Sequence, residues 1–138
     1  MKTLKKLAVV LAATTALAGG VAQADGLKVG MITTLSGGGA GLGIDVRDGF
    51  LLALKMAEAN GRDTGIEVVV EDDQRKPDVA VQLADKMIQS EKVDVLTGII
   101  WSNLAMAVVP AAVGQGKFYL SPNAGPSARL SFCQATLK

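Results

Sequence analysis

Leu27-Lys28-Val29-Gly30-Met31-Ile32-Thr33-Thr34, running straight into Leu35-Ser36-Gly37-Gly38-Gly39-Ala40-Gly41-Leu42-Gly43, decides the fold. The first eight residues read as a strand. The loop after them, with Ser36 and five glycines, reads as its turn into a helix. From about Ile44 the apolar residues Val46, Phe50, Ala53, Leu54 and Ala57 recur at helical spacing, and Asn60-Gly61 supplies the stop. Ile66 to Val70 is a β-branched run with one acid in it; it ends in Glu71, Asp72 and Asp73 and reads as a second buried strand with a polar exit. Pro77 suits the first turn of a second helix, with Asp78 near its positive end. Val79, Leu83, Ala84, Met87 and Ile88 form its expected buried stripe. Val93 to Ile99 reads as a third strand, and Ser102 or Asn103 is placed to cap a third helix. Pro110 either kinks that helix or starts a new one, Gly114 and Gly116 end it, and Lys117 to Leu120 is a short fourth strand.

Strands that alternate with helices predict an α/β doubly wound parallel sheet with right-handed crossovers, in the flavodoxin-like order 2-1-3-4. Such sheets take ligands outside the carboxyl ends of their strands, where the strand order reverses. In this order the switch point lies between strands one and three, at the loops Leu35 to Gly43 and Ile100 to Asn103.

Working outward, the amino terminus has Lys2, Lys5 and Lys6, then the apolar run Leu7 to Ala18, then Ala22-Gln23-Ala24 before Asp25. This order of basic start, apolar core and small-x-small site reads as a secretory signal peptide over residues 1–24, so the mature domain is expected to be exported and to begin at residue 25. The apolar run is about a dozen residues, short of the roughly 20 that a membrane span needs. The chain carries 14 basic and 13 acidic residues, and loss of the three leader lysines leaves 11 against 13. A mildly acidic chain without a basic stripe argues against nucleic acid as a partner. The mature chain of about 114 residues is enough for one small core and too short for two lobes. Cys133 is the single cysteine and has no internal disulfide partner; the chain has no histidine, the commonest general base and metal ligand.

The glycine run invites a nucleotide reading, but its register gives no G-x-G-x-x-G and no Walker lysine follows, so no cofactor is expected. Glu71, Asp72 and Asp73 are contiguous carboxylates that diverge along a strand, which favours a solvated strand exit over a metal site. Asp45, Arg47 and Asp48 read as the polar face of the first helix. Ser36, Ser102 and Ser121 lack an activating base and a nucleophile elbow, so no catalytic residue and no enzyme are expected. Trp101-Ser102-Asn103 sits where a strand end opens a helix: the hydroxyl and amide can turn into the crevice beside a flat aromatic wall, or can simply cap the helix.

The sequence resembles the periplasmic receptors of the leucine/isoleucine/valine-binding type, which serve ABC importers. The resemblance rests on Val29 to Gly37, Asp48-Gly49-Phe50, Glu71-Asp72-Asp73 with Lys76-Pro77, Gly98 to Ser102, and Tyr119 to Ala124, and it runs from about Leu27 to Pro126. It implies two α/β lobes closing on a small solute, a permease in the inner membrane as partner, and a monomer at full length. It also implies ligand contacts at Ser102 and at Asn123, Ala124 and Gly125, which with Ser36, Leu42, Trp101 and Asn103 make up the expected site. Two positions depart from the amino-acid binders: their first-loop tyrosine falls at Leu42, and a threonine falls at Gly125. An ammonium group left without acceptors is costly to bury, so the pattern points instead toward relatives that take carboxylated aromatic or other organic acids.

Family members continue well beyond this length, and residues 127–138 diverge from the expected continuation. The expectation is therefore a partial amino-terminal lobe over residues 25–138, arising from a frameshift or a fragment, with weak or no solute binding and a tendency to aggregate. The competing classes are a ligand-sensing module of the same fold and a small flavodoxin-like nucleotide or flavin binder.

Overall fold

The computed structural model describes residues 26–123. The expected leader (residues 1–24), the divergent tail (127–138), Cys133 and the site candidates Ala124 and Gly125 lie outside the described residues. The order is β1 (Lys28–Thr33), α1 (Ala40–Ala59), β2 (Glu67–Asp72), α2 (Pro77–Gln89), β3 (Val95–Thr97), α3 (Ser102–Gly114) and β4 (Phe118–Leu120). The four strands form one parallel sheet in the order β2-β1-β3-β4, as expected. Gly30 pairs with Val69 on one side and Leu96 on the other, and Leu96 pairs with Tyr119.

The helices α2 and α3 pack together on one face. Ala80, Ala84, Met87 and Ile88 of α2 meet Leu104, Ala105, Val108, Val109 and Ala112 of α3 over Ile32, Val93, Leu96 and Ile99. The alanines let the two helices approach closely, and each large side chain buried here contributes about 1.5–3 kcal/mol of hydrophobic stabilisation. Gly30 keeps the strand thin under this layer: a Cβ there would lie 2.7 Å from Met87 Sδ and 2.8 Å from Leu96 Cδ2.

Successive strand residues alternate between faces. Val29, Met31 and Thr33 are buried yet stand apart from the α2–α3 cluster, and they face the side taken by α1. This helix docks through Gly43, whose added Cβ would fall 2.0 Å from the Thr34 carbonyl oxygen. Gly43 is its only buried residue.

Several boundaries move. Helix α1 begins at Ala40, four residues before the expected start, because Gly43 packs against the Thr34 carbonyl rather than forming a flexible turn. Strand β2 runs on through Glu71 and Asp72, since its polar exit keeps pairing with Ile32 and Thr33. In α2 the proline and Asp78 stand in the first turn as expected, but Ala80 is buried while Val79 and Leu83 are half-buried. Ser102 and Asn103 lie inside α3, and Trp101 takes the cap position with no side-chain cap bond. The helix passes through Pro110 unbroken. Asp45 and Asp48 are exposed and Arg47 Nε donates to Asp48 Oδ1 at 2.8 Å, the polar face expected for α1. Among the described residues no helix is long and apolar enough to cross a membrane.

Candidate functional site

The carboxyl ends of β1, β2 and β3 converge on Trp101. Immediately after β1, Thr34 is fully buried and its Oγ1 accepts the Trp101 indole N–H at 2.8 Å. The same hydroxyl donates to Asp73 Oδ1 at 2.6 Å. Asp73 follows β2 and is also fully buried; its Oδ1 additionally accepts the Arg75 backbone N–H at 2.7 Å. Arg75 then folds over the indole, with Cζ 4.1 Å from the ring centroid, and its Nη1 donates to the Gly38 carbonyl at 3.3 Å. A cation above an indole face is favourable. The backbone that aims Arg75 in this way is strained, since Gln74 and Arg75 both have positive φ, at 52° and 59°.

The glycine loop fits the same indole. Gly39 has φ 93° and stands at the start of α1, where a Cβ would lie 2.4 Å from Trp101 Cζ2. No other residue type combines that backbone with that contact. Glycine at this point makes room for an aromatic side chain, not for a phosphate.

Asp72 anchors the other half of the loop. Its Oδ1 accepts from the backbone N–H groups of Leu35 at 2.8 Å and Gln74 at 2.9 Å. Burial pushes this carboxyl up, but hydrogen bonds from the Ser36 hydroxyl and from the N–H groups of Leu35, Gln74 and Ser36 outweigh it and hold the pKa below the ordinary aspartate value. Glu71 turns away to pair with Lys86 of α2 at 2.7 Å. The three acids thus diverge as expected, but the solvated exit does not hold for Asp73, which is buried and bonded. Among the described residues no group of three or more acidic or cysteine side chains is arranged to hold a metal ion.

The expected site residues are brought together unevenly. Trp101 is half-buried at the centre, and Ser102 and Asn103 are exposed in the first turn of α3 beside it. Asn123 is drawn to the same edge, its Nδ2 donating to the Ile100 carbonyl at 3.1 Å, while the Ser121 hydroxyl donates to the Asn123 carbonyl at 2.6 Å. Ser36 is exposed and engaged with Asp72. Leu42 stands on α1 at 57% exposure rather than in a loop. Thr34, Asp73 and Arg75 belong to the assembly and were not expected there. Their sequence signals are slight, namely a threonine closing a buried strand and an acid two residues before a backbone N–H it can bind.

The assembly offers chemistry for an anion beside an apolar surface. Arg75 has no carboxylate partner among the described residues, and the first-turn N–H groups of α3 open on the same edge with the positive end of the helix dipole.

The family model for periplasmic binding proteins matches residues 26–135. Comparison with curated proteins gives no match. Among solved structures, the chain is 40% identical to a solute-binding protein of an ABC transporter from R. palustris in complex with benzoate, over 72% of this chain and 28% of that one, with a TM-score of 0.62. It is 31% identical to a solute-binding protein from Rhodopseudomonas palustris BisB5 in complex with 3,4-dihydroxybenzoic acid, over 78% and 30%, with a TM-score of 0.67. It is 26% identical to a branched-chain amino acid transporter substrate-binding protein from Streptococcus pneumoniae in complex with isoleucine, over 77% and 31%, with a TM-score of 0.70. The chain spans between 28% and 31% of these three structures.

Proposed function

The chain belongs to the periplasmic binding protein family, and from that premise we propose that it forms one wall of the solute site of an extracytoplasmic receptor that delivers a small carboxylated aromatic or other organic acid to an ABC importer. Residues 1–24 direct export in this reading, and the mature part starts at residue 25. The partner is the importer's permease. Family members are substrate-binding receptors, so the reading asks for recognition and not for chemistry.

One observation carries the choice of solute: the Arg75 guanidinium, without a carboxylate partner among the described residues, lies on Trp101 at the ends of β1 and β3. A carboxylate placed there meets a fixed cation and the opening of α3, and a ring beside it meets apolar surface. Two of the structural relatives hold benzoate and a dihydroxybenzoate. A branched-chain amino acid is the second reading, favoured by the isoleucine complex of a third. Against it, Leu42 offers no hydroxyl for an ammonium group where the resemblance to amino-acid binders expects a tyrosine.

The test is a two-dimensional NMR titration of the ¹⁵N-labelled chain with millimolar benzoate or isoleucine. We expect benzoate to shift the signals of the Trp101 indole N–H, Ser102 and Asn103, weakly and in a dose-dependent manner, and isoleucine to leave them in place. Shifts from isoleucine without benzoate, shifts confined elsewhere, or no shift with either ligand overturn the reading.

A further inference from the structure

We propose that Thr34 and Asp73 are positioning residues of the solute site, a buried two-step relay that fixes the indole of Trp101 in one orientation before any solute arrives. The role rests on the reading of Trp101 as a wall of that site. The hydrogen-bond directions follow from the groups themselves. An indole N–H can only donate and an ionised carboxylate can only accept, whereas a threonine hydroxyl does both. With Trp101 donating to Thr34, the single Thr34 hydroxyl proton is directed to Asp73. In the order Trp101 to Thr34 to Asp73 the indole N–H and the Thr34 hydroxyl are both paired and Asp73 Oδ1 accepts twice, while Asp73 Oδ2 is buried without a partner among the described residues.

The relay closes on itself through Arg75. Asp73 Oδ1 accepts the Arg75 backbone N–H, which sets the start of a side chain whose guanidinium returns to the indole. The loop of contacts joins the ends of three neighbouring strands: Thr34 beyond β1, Asp73 and Arg75 beyond β2, and Trp101 beyond β3. Rotating the indole would break the bond to Thr34, leave the indole N–H without that acceptor, and lose the stacked cation. Buried polar chains of this kind are costly to satisfy only in part. The consequence is a wall held rigid in the free protein, so that solute capture does not have to order it.

Trp101 is the single tryptophan in the chain, and its emission therefore reports on this one side chain. Thr34→Val removes the hydroxyl while keeping the shape, and Thr34→Ser keeps the hydroxyl. In the absence of solute we expect Thr34→Val to shift the emission to longer wavelength, raise acrylamide quenching and speed the local decay of fluorescence anisotropy, with helical circular dichroism retained. Thr34→Ser restores wild-type values, and Asp73→Asn gives an intermediate response. A purely structural role for Thr34 lowers stability and leaves these indole signals where they were. A measurement on the unsubstituted chain serves where Thr34→Val does not fold: the Trp101 indole N–H exchanges with deuterium far more slowly than free indole. Unchanged emission, quenching and anisotropy in a folded Thr34→Val, or free-indole exchange in the wild type, overturn the relay. With benzoate as probe, the response weakens in Thr34→Val and recovers in Thr34→Ser. A wild type with an intact relay and no benzoate response overturns the solute role of Trp101 and, with it, the relay's place in a solute site.

Discussion

Asp72 shows how one carboxylate sets the shape of a loop far from it in sequence. It holds Leu35 and Ser36, on the far side of α1 in the chain, against the turn at Gln74. All of these bonds favour the ionised form, so the folded pKa lies below the ordinary value of 3.8. A depressed carboxylate contributes stability that is fully present above the unfolded pKa and is lost as the pH falls through the folded one. We expect the thermal midpoint to be level from neutral pH down to about 4.5 and to fall below that. The group is only half-buried and water screens it in part, so the effect is small. Asp72→Asn lowers the midpoint at neutral pH and flattens the part of the acid slope that belongs to this group. An unaltered slope in Asp72→Asn places the acid sensitivity elsewhere. None of this was legible in the sequence, where Glu71, Asp72 and Asp73 look alike; their three fates depend on partners at Lys86, Leu35 and Thr34 that only the assembled sheet supplies.

Among the elements, type and order along the chain were legible because each strand or helix carries its own pattern; right-handed crossovers alone admit several spatial orders, and 2-1-3-4 was expected as the flavodoxin-like one. Boundaries were less legible where packing decides them. The start of α1 depends on Gly43 reaching the Thr34 carbonyl, and the end of β2 depends on pairing with β1. The packing of α2 on β1 makes the same point in a form that can be measured. Met87 is fully buried against the backbone of Gly30. Met87→Ala is expected to cost about 2–5 kcal/mol, as for other buried large-to-small changes. Gly30→Ala forces a methyl against Met87 and Leu96 and costs about 1–3 kcal/mol as an overpacked site. In the double variant the alanine at position 30 enters space that Met87 vacates, so the combined loss falls short of the sum of the single losses by more than about 0.5 kcal/mol. Strict additivity in urea melts of the four proteins would show that the two positions do not share this space.

At the scale of the molecule, the two faces of the sheet are covered unequally. Helices α2 and α3 bury one face under a continuous apolar layer, while α1 alone lies on the other, with Leu42, Leu52 and Met56 each 57% exposed. Tyr119 packs toward the α2–α3 layer, so its neighbours Phe118 and Leu120 point to the opposite side; they are 64% and 50% exposed. Strand β4 is also an edge of the described sheet, with one side of its backbone unpaired by any described strand. Exposed apolar residues on an open edge favour pairing between chains. We expect the chain to self-associate with rising concentration, and Phe118→Lys combined with Leu120→Lys to move it toward a monomer in sedimentation velocity. Lysine suits an exposed edge, neither side chain belongs to the buried core, and the bond from Thr97 Oγ1 goes to the Leu120 backbone carbonyl, which the substitution keeps. The helical circular dichroism and the Trp101 emission should therefore be unchanged. A wild-type chain that stays monomeric across the concentration range would show that this face is covered in solution. Association undiminished in the double variant would place the contact on α1 instead, where Leu52→Glu and Met56→Lys make the corresponding test.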